Sequence, residues 1–255
     1  MPKAKGIQSH KLFKLGKAPA KADDRNLKFA AILKAPAPTV PTEFDFDLKH
    51  TGIPLPMFAN DVIGCCVISG RAHQTLRFED LEQSAVISIT DNEVRKEYFK
   101  ETGGEDTGLV VLESLKLWRT DGWIAATQKL NIKAFAQINQ LNHAEMKKAI
   151  FLDVGVGIGL SLPLSAQDQI QAGKPWAVVT GPSAKPNSWG GHYVLCPGYT
   201  KQGPVCVTWG QKQQITWDFL DKYCDEAYAI FDDVNTAKLK AALDVKKLNA
   251  FLASL

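Results

Sequence analysis

The hydrophobic pattern changes period part-way along the chain, and this restricts the fold more than any other feature. Up to about residue 150 apolar side chains recur at helical spacing. From Val154 onward they fall in short runs broken by glycine and proline. Helices first and strands afterwards point to an α+β fold rather than alternating parallel units. The spacing predicts helices over 66–79, 91–101, 109–119 and 142–150, the last opened by Asn142 and Glu145 in capping-box positions. In the first of these, Val67, Ile68, Ala72 and Leu76 form an apolar face, and Gly70 permits a close contact. Strands are expected over 44–48, 154–162, 175–180, 191–196, 204–209 and 227–231, with a hairpin between 191–196 and 204–209. Glycines alternate with Val, Ile and Leu in 154–162, so another layer should approach one side closely. A helix is expected over 215–226. The tail reads as two short amphipathic helices capped at Asn235 and Asp244.

Charge divides the chain differently. Residues 1–22 hold six lysines and no acid, so the net charge of +3 is a basic arm on a slightly acidic body. Three prolines in 34–41 exclude a helix there. The organisation is therefore a basic, proline-rich arm (1–43), a main domain (44–232, helical over about 60–150 and β over 151–232) and a helical extension (233–255). The arm is read as solvated. No arginine cluster interleaved with aromatics supports a specific nucleic-acid partner. The longest apolar stretch, 149–164, is interrupted by Asp153 and glycines and is too short to cross a bilayer. The lysine-rich start lacks the apolar core of a signal peptide. The expected location is the cytoplasm, or outside the cell by a route without such a signal, including a virion. Oligomeric state is left open.

The 255 residues include five cysteines, with no CxxC pair and no zinc-ligand spacing. Neither a disulfide framework nor a metal is expected, and no cofactor is called for. A thiol nucleophile needs a lowered pKa, a base and oxyanion donors. Cys66 opens a predicted helix, whose dipole and free N–H groups favour a thiolate. Asn60, six residues earlier, can supply an amide. His192 starts a strand after Gly190 and Gly191, glycines that let a substrate backbone pass close to the ring. His73, His143, Cys196, Cys206 and Cys224 are read as structural or exposed residues without a chemical role.

An amide residue, a cysteine at a helix start, a late Gly-His strand and a Trp-Gly strand end resemble the papain-like cysteine peptidases. The order is also similar to that of phage and bacterial proteins of papain-like type. The resemblance spans 44–231. It implies a two-lobed α+β fold, with a helical lobe, an antiparallel β-barrel-like lobe and the active site in the cleft between them. In that family a Gln six residues before the nucleophile helps form the oxyanion hole. Asn60 stands at that offset from Cys66, which favours Cys66 over Cys65. The family's His-Ala-Val strand corresponds to His192-Tyr193-Val194, and its Asn-Ser-Trp-Gly to Val207-Thr208-Trp209-Gly210.

The resemblance implies Cys66 as nucleophile, His192 as base and Trp209 as its shield, with Gly191 beside it. The Asn that orients the histidine falls on Val207 by motif and on Thr208 by counting; only Thr208 can accept the imidazole N–H. Asn187-Ser188-Trp189-Gly190 spells the same motif but precedes His192, and is read as loop. The implied activity is hydrolysis of a peptide or related amide through a thioester, with a peptide or protein as substrate. The alternatives are a degraded binding or structural module, and amidase, deamidase or acyl-transfer chemistry on the same pair. The arm 1–43 has the position of a pro-segment lying across the cleft.

Overall fold

The structure, a computed structural model, describes residues 13–35, 39–232 and 237–253. The first twelve residues of the arm and the expected cap Asn235 lie outside them. Eight helices are present among the described residues: α1 (Cys66–Gln83), α2 (Asp91–Thr102), α3 (Val111–Thr120), α4 (His143–Leu152), α5 (Leu164–Gln171), α6 (Trp217–Tyr223), α7 (Ala237–Ala242) and α8 (Val245–Ala253). The strands are β1 (Phe44–Asp45), β2 (Trp123–Ala125), β3 (Gln128–Leu130), β4 (Ala134–Gln137), β5 (Val156–Leu162), β6 (Gly190–Tyr199), β7 (Pro204–Thr208), β8 (Gln211–Gln214) and β9 (Cys224–Phe231).

The main sheet runs β4-β9-β5-β6-β7-β8, with β1 added to β6, and every pairing is antiparallel. It stays open. The barrel-like lobe of the sequence reading is therefore an open sheet with β4 and β8 at its ends.

Side chains alternate across a strand, and the sheet uses both faces. Ala134, Ala136, Ala227, Ala229 and Phe231 join one core with residues of α4, α5, α6 and α8. Phe135, Tyr228 and Ile230, from the same two strands, join a second core with residues of α1, α2 and α3. Burial on both sides explains why these strands read as nearly unbroken apolar runs.

Helix α1 departs from the expected single apolar face, because its polar residues are buried too. Arg71 pairs with Glu97 at 3.3 Å and Glu101 at 2.6 Å and donates to the Ser114 carbonyl, tying α1 to α2 and α3. Arg77 is held by Asp47 at 2.7 Å. Buried charges of this kind need such partners. Gly70 does permit a close contact: a Cβ there would lie 2.6 Å from the Tyr193 ring. Thus α1 sits directly against β6.

Some expected elements differ. The 44–48 strand stops at Asp45, whose carboxylate accepts the Asp47 N–H and starts a 3-10 turn over Phe46–Leu48. Residues 175–180 form no strand; Pro175 brings no donor, and the run touches the sheet only where Trp176 bridges Ile215. The 215–226 helix is shorter, capped by the Thr216 side chain and ended where β9 begins. The arm is not wholly solvated. Phe29 and Ile32 are buried in the core, and residues 13–18 lie against the domain.

Candidate active site

On the helical wall the chain makes a tight approach to α1. Phe58 and Ala59 are both buried with positive φ, 52° and 60°, a strained pair just before Asn60. The Asn60 amide donates to the Ile63 carbonyl at 3.2 Å, so one of its two N–H groups is committed to its own turn. The adjacent cysteines differ. Cys65 caps α1, and its thiol donates to the Phe58 carbonyl at 3.3 Å. Cys66 is the first helical residue.

On the sheet wall, pairing of Leu195 with Val207 sets Thr208 diagonally across from His192, on the same face. His192 Nε2 and Thr208 Oγ1 are 2.8 Å apart. Val207 lies one residue over and points to the other face, which is why counting rather than motif finds the partner. Trp209 stacks on His192, with ring centroids 4.1 Å apart and planes 9° apart. Trp209 itself adopts φ 43°, a conformation a large side chain rarely takes. His192 Nδ1 is buried without a hydrogen-bond partner among the described residues. With the proton on Nε2 and donated to Thr208, Nδ1 presents its lone pair.

Asn60, Cys66, His192, Thr208 and Trp209 all line one slot of about 10 Å³, room for about one water. Backbone N–H groups of Tyr193 and Gly16 point at the Cys66 thiol. All the expected side chains are thus gathered around one small space.

The cleft above them is filled by residues 13–18. Lys14 N–H donates to the Asn60 carbonyl at 3.1 Å, and Lys17 N–H to the Gly191 carbonyl at 3.1 Å. Opposite, Leu109 N–H donates to Gly16 and Ala18 N–H to Leu109, both at 2.8 Å. Trp209 Nε1 donates to the Lys14 carbonyl at 3.2 Å, and Phe13 packs on the Trp209 ring at 4.7 Å. A Cβ on Gly191 would lie 2.1 Å from the Lys17 carbonyl oxygen, and one on Gly64 would lie 2.7 Å from that of Leu15. The backbone expected to pass close to His192 is the chain's own.

This closure governs the electrostatics. Burial pushes the Cys66 thiol up to about 11, outweighing the Tyr193 and Gly16 N–H groups and the Lys17 charge, which favour the thiolate. Burial holds His192 down to about 3. The lowered thiol pKa expected at a helix start is therefore not that of the closed site. Cys65 is pushed up to about 12, also by burial, despite the Ser69 hydroxyl beside it.

His73 is a core residue, T-shaped against Phe58 at 4.8 Å. His143 stacks on Trp217 and pairs with Asp221 at 2.6 Å. Among the described residues no group of three or more His, Cys, Asp or Glu is arranged to hold a metal.

Sequence reasoning missed Leu109, Lys17 and Trp189. Leu109 opens the helix predicted over 109–119, but that helix starts at Val111 and Leu109 forms a bridge with Lys17. Trp189, set aside with its loop, packs on Trp209 at 5.4 Å; its place beside Gly190 was the available signal.

No protein-family model and no curated protein matches the chain. Solved structures do. Xylellain, a cysteine protease from Xylella fastidiosa, superposes with a TM-score of 0.67 at 15% identity, over 90% of this chain and 100% of that one. The cysteine protease CMS1MS2 of Carica candamarcensis, solved in complex with E-64, gives 0.57 at 13% identity, over 76% and 100%. Procathepsin B S9 from Trypanosoma congolense gives 0.57 at 11% identity, over 84% and 85%. Helices packed on an open antiparallel sheet, superposable on these proteins at so low an identity, make this a divergent papain-like fold.

Proposed function

We propose that the chain is a cysteine-dependent hydrolase of peptide or related amide bonds, held closed by its own residues 13–18. The observation that carries this reading is the slot shared by Cys66, His192, Asn60 and Thr208, with an extended peptide seated directly over it.

In the open site, His192 Nδ1 takes the Cys66 proton and the thiolate attacks the substrate carbonyl. The oxyanion is held by the Cys66 backbone N–H at the start of α1 and the free N–H of Asn60. Collapse breaks the C–N bond, and His192 returns its proton to the leaving amine. A water deprotonated by His192 then hydrolyses the thioester, restoring the thiol. Thr208 fixes the imidazole ring, and Trp209 keeps water from one face of it. In the closed site the proton stays on sulfur, because both partners are desolvated toward their neutral forms.

The test uses the full chain with Gly16→Val. A Cβ at Gly16 falls 1.5 Å from the Gly64 carbonyl oxygen, so this change expels the segment. The expected result is rapid alkylation of Cys66, located by peptide mass mapping, and turnover of peptide amides that Cys66→Ala abolishes. Slow, unselective alkylation and no turnover in the opened chain would make the protein a binding module instead.

A further inference from the structure

We infer that Asp225, Glu226 and Gly159 form a side-chain pocket that selects lysine or arginine in the substrate. This rests on the hydrolase reading and names its substrate class. The evidence is the residue that fills the pocket in the closed chain. Lys17 follows Gly16, whose amide lies at the Cys66 thiol, and both are held to the walls by backbone hydrogen bonds of the kind an extended substrate makes. Its side chain is 1% exposed. The ammonium donates to Asp225 at 3.0 Å and to the Ala18 carbonyl at 3.3 Å, and it forms an ion pair with Glu226 at 3.2 Å.

The pocket is built by the strands, not improvised by the segment. Glu226 on β9 pairs with Gly159 on β5, and the next pair is Leu160 with Cys224. Asp225 is therefore the extra residue of a β-bulge. In a regular strand, residues 225 and 226 would point to opposite faces; the bulge turns both carboxylates to one cation. Each acid is also held from outside. Ser161 Oγ donates to Asp225 at 2.8 Å, and Tyr228 Oη donates to Glu226 at 3.2 Å. Gly159 makes the volume. A Cβ there would lie 2.3 Å from Lys17 Cε and 2.6 Å from Glu226 Cγ. The glycine alternation in β5 thus opens a cavity for a long side chain. When the segment leaves, two fixed carboxylates remain in the pocket without their cation, and a basic substrate side chain replaces it.

The experiment compares the opened full chain, Gly16→Val, with the same chain carrying Asp225→Asn and Glu226→Gln. Both are given peptide amides that place lysine, arginine, norleucine, leucine or glutamate at one position at a time. At one position lysine and arginine should exceed norleucine in kcat/KM by about tenfold or more, as expected for a hydrogen-bonded ion pair. The double variant should bring the ratio to within about twofold, through loss of the lysine and arginine rates. Equal use of lysine and norleucine, or a basic preference that survives the double change, overturns the pocket.

If the opened chain cleaves nothing, the hydrolase reading fails separately. The pocket is then read in the chain with Gly16→Val and Cys66→Ala, by anisotropy of a labelled Phe-Lys-Leu-Gly-Lys-Ala peptide against its norleucine form at the second lysine. Tighter binding of the lysine form by about tenfold, lost with the two acid changes, supports the pocket; equal affinity overturns it. Lys17→Ala serves as the opened chain if circular dichroism shows Gly16→Val to be misfolded.

Discussion

On the helical wall of the cleft, Cys66 is positioned by the residues just before it in sequence. On the sheet wall, His192 is positioned by β5 and β7, which come from either side of β6 along the chain. The first wall is made locally and stores strain at Phe58 and Ala59. The second is made by register, and a slip of one residue would turn His192 or Thr208 to the wrong face. A local turn keeps its shape when the strands shift, so the nucleophile side should tolerate changes that the base side does not.

Substitutions can break or sharpen this contrast, measured in the chain opened by Gly16→Val. The largest effect is expected from Cys66→Ala and His192→Ala. Each should lower kcat by about 10³-fold or more, with the circular dichroism spectrum unchanged. Comparable turnover in either would remove the proposed pair. Next comes Asn60→Ala, which should cost about 10²-fold in kcat with little change in KM, the signature of a lost oxyanion donor. A rise confined to KM would reassign Asn60 to substrate binding.

Thr208→Val should cost about tenfold, part of the 10²–10⁴ that acid–base catalysis supplies, and should alter the pH–rate profile. Thr208→Ser should recover most of the loss. A loss that Ser does not recover would mark Thr208 as a packing residue.

Two smaller effects separate folding from chemistry. His73 and His192 are both buried and held down to about 3, well below the usual 6.5. In the closed chain these two rings bind fewer protons than in the unfolded chain between these values, so their contribution to stability rises with pH from about 3 to 6.5 and is flat above. Each histidine contributes about 1.4 kcal/mol per pH unit across that window. His73→Gln should shallow the slope seen in urea titrations between pH 4 and 6, and an unchanged slope would exclude a buried neutral ring. Cys65→Ala should be mildest. It removes one thiol donor to the Phe58 carbonyl, and kcat should stay within about twofold while stability falls by about 1 kcal/mol. A loss as large as that of Cys66→Ala would reverse the choice of nucleophile.

The same contrast explains what could be read in the sequence. Helix α1, its opening cysteine and the β6–β7 hairpin were legible because each is signalled by neighbouring residues. The choice of Thr208 over Val207 was legible by counting, because strand geometry has period two. The pairing of Asp225 and Glu226 was not. It depends on a bulge set by the partner strand, and two adjacent acids at the end of a predicted helix look like solvent-facing charge. Lys17 was hidden for a related reason. Six lysines in a leading segment read as a solvated arm, and nothing local distinguishes the one that enters the cleft.

The segment over the cleft is a ligand on a tether. Residues 19–22 connect it to the body and are exposed. A tethered ligand experiences an effective concentration of about a millimolar, so even a contact of about 10 μM affinity would keep the site filled about 99% of the time. A single cut in that connector would change no contact in the cleft. It would only turn an intramolecular equilibrium into a bimolecular one, and at ordinary protein concentrations the same weak contacts would leave the site mostly open.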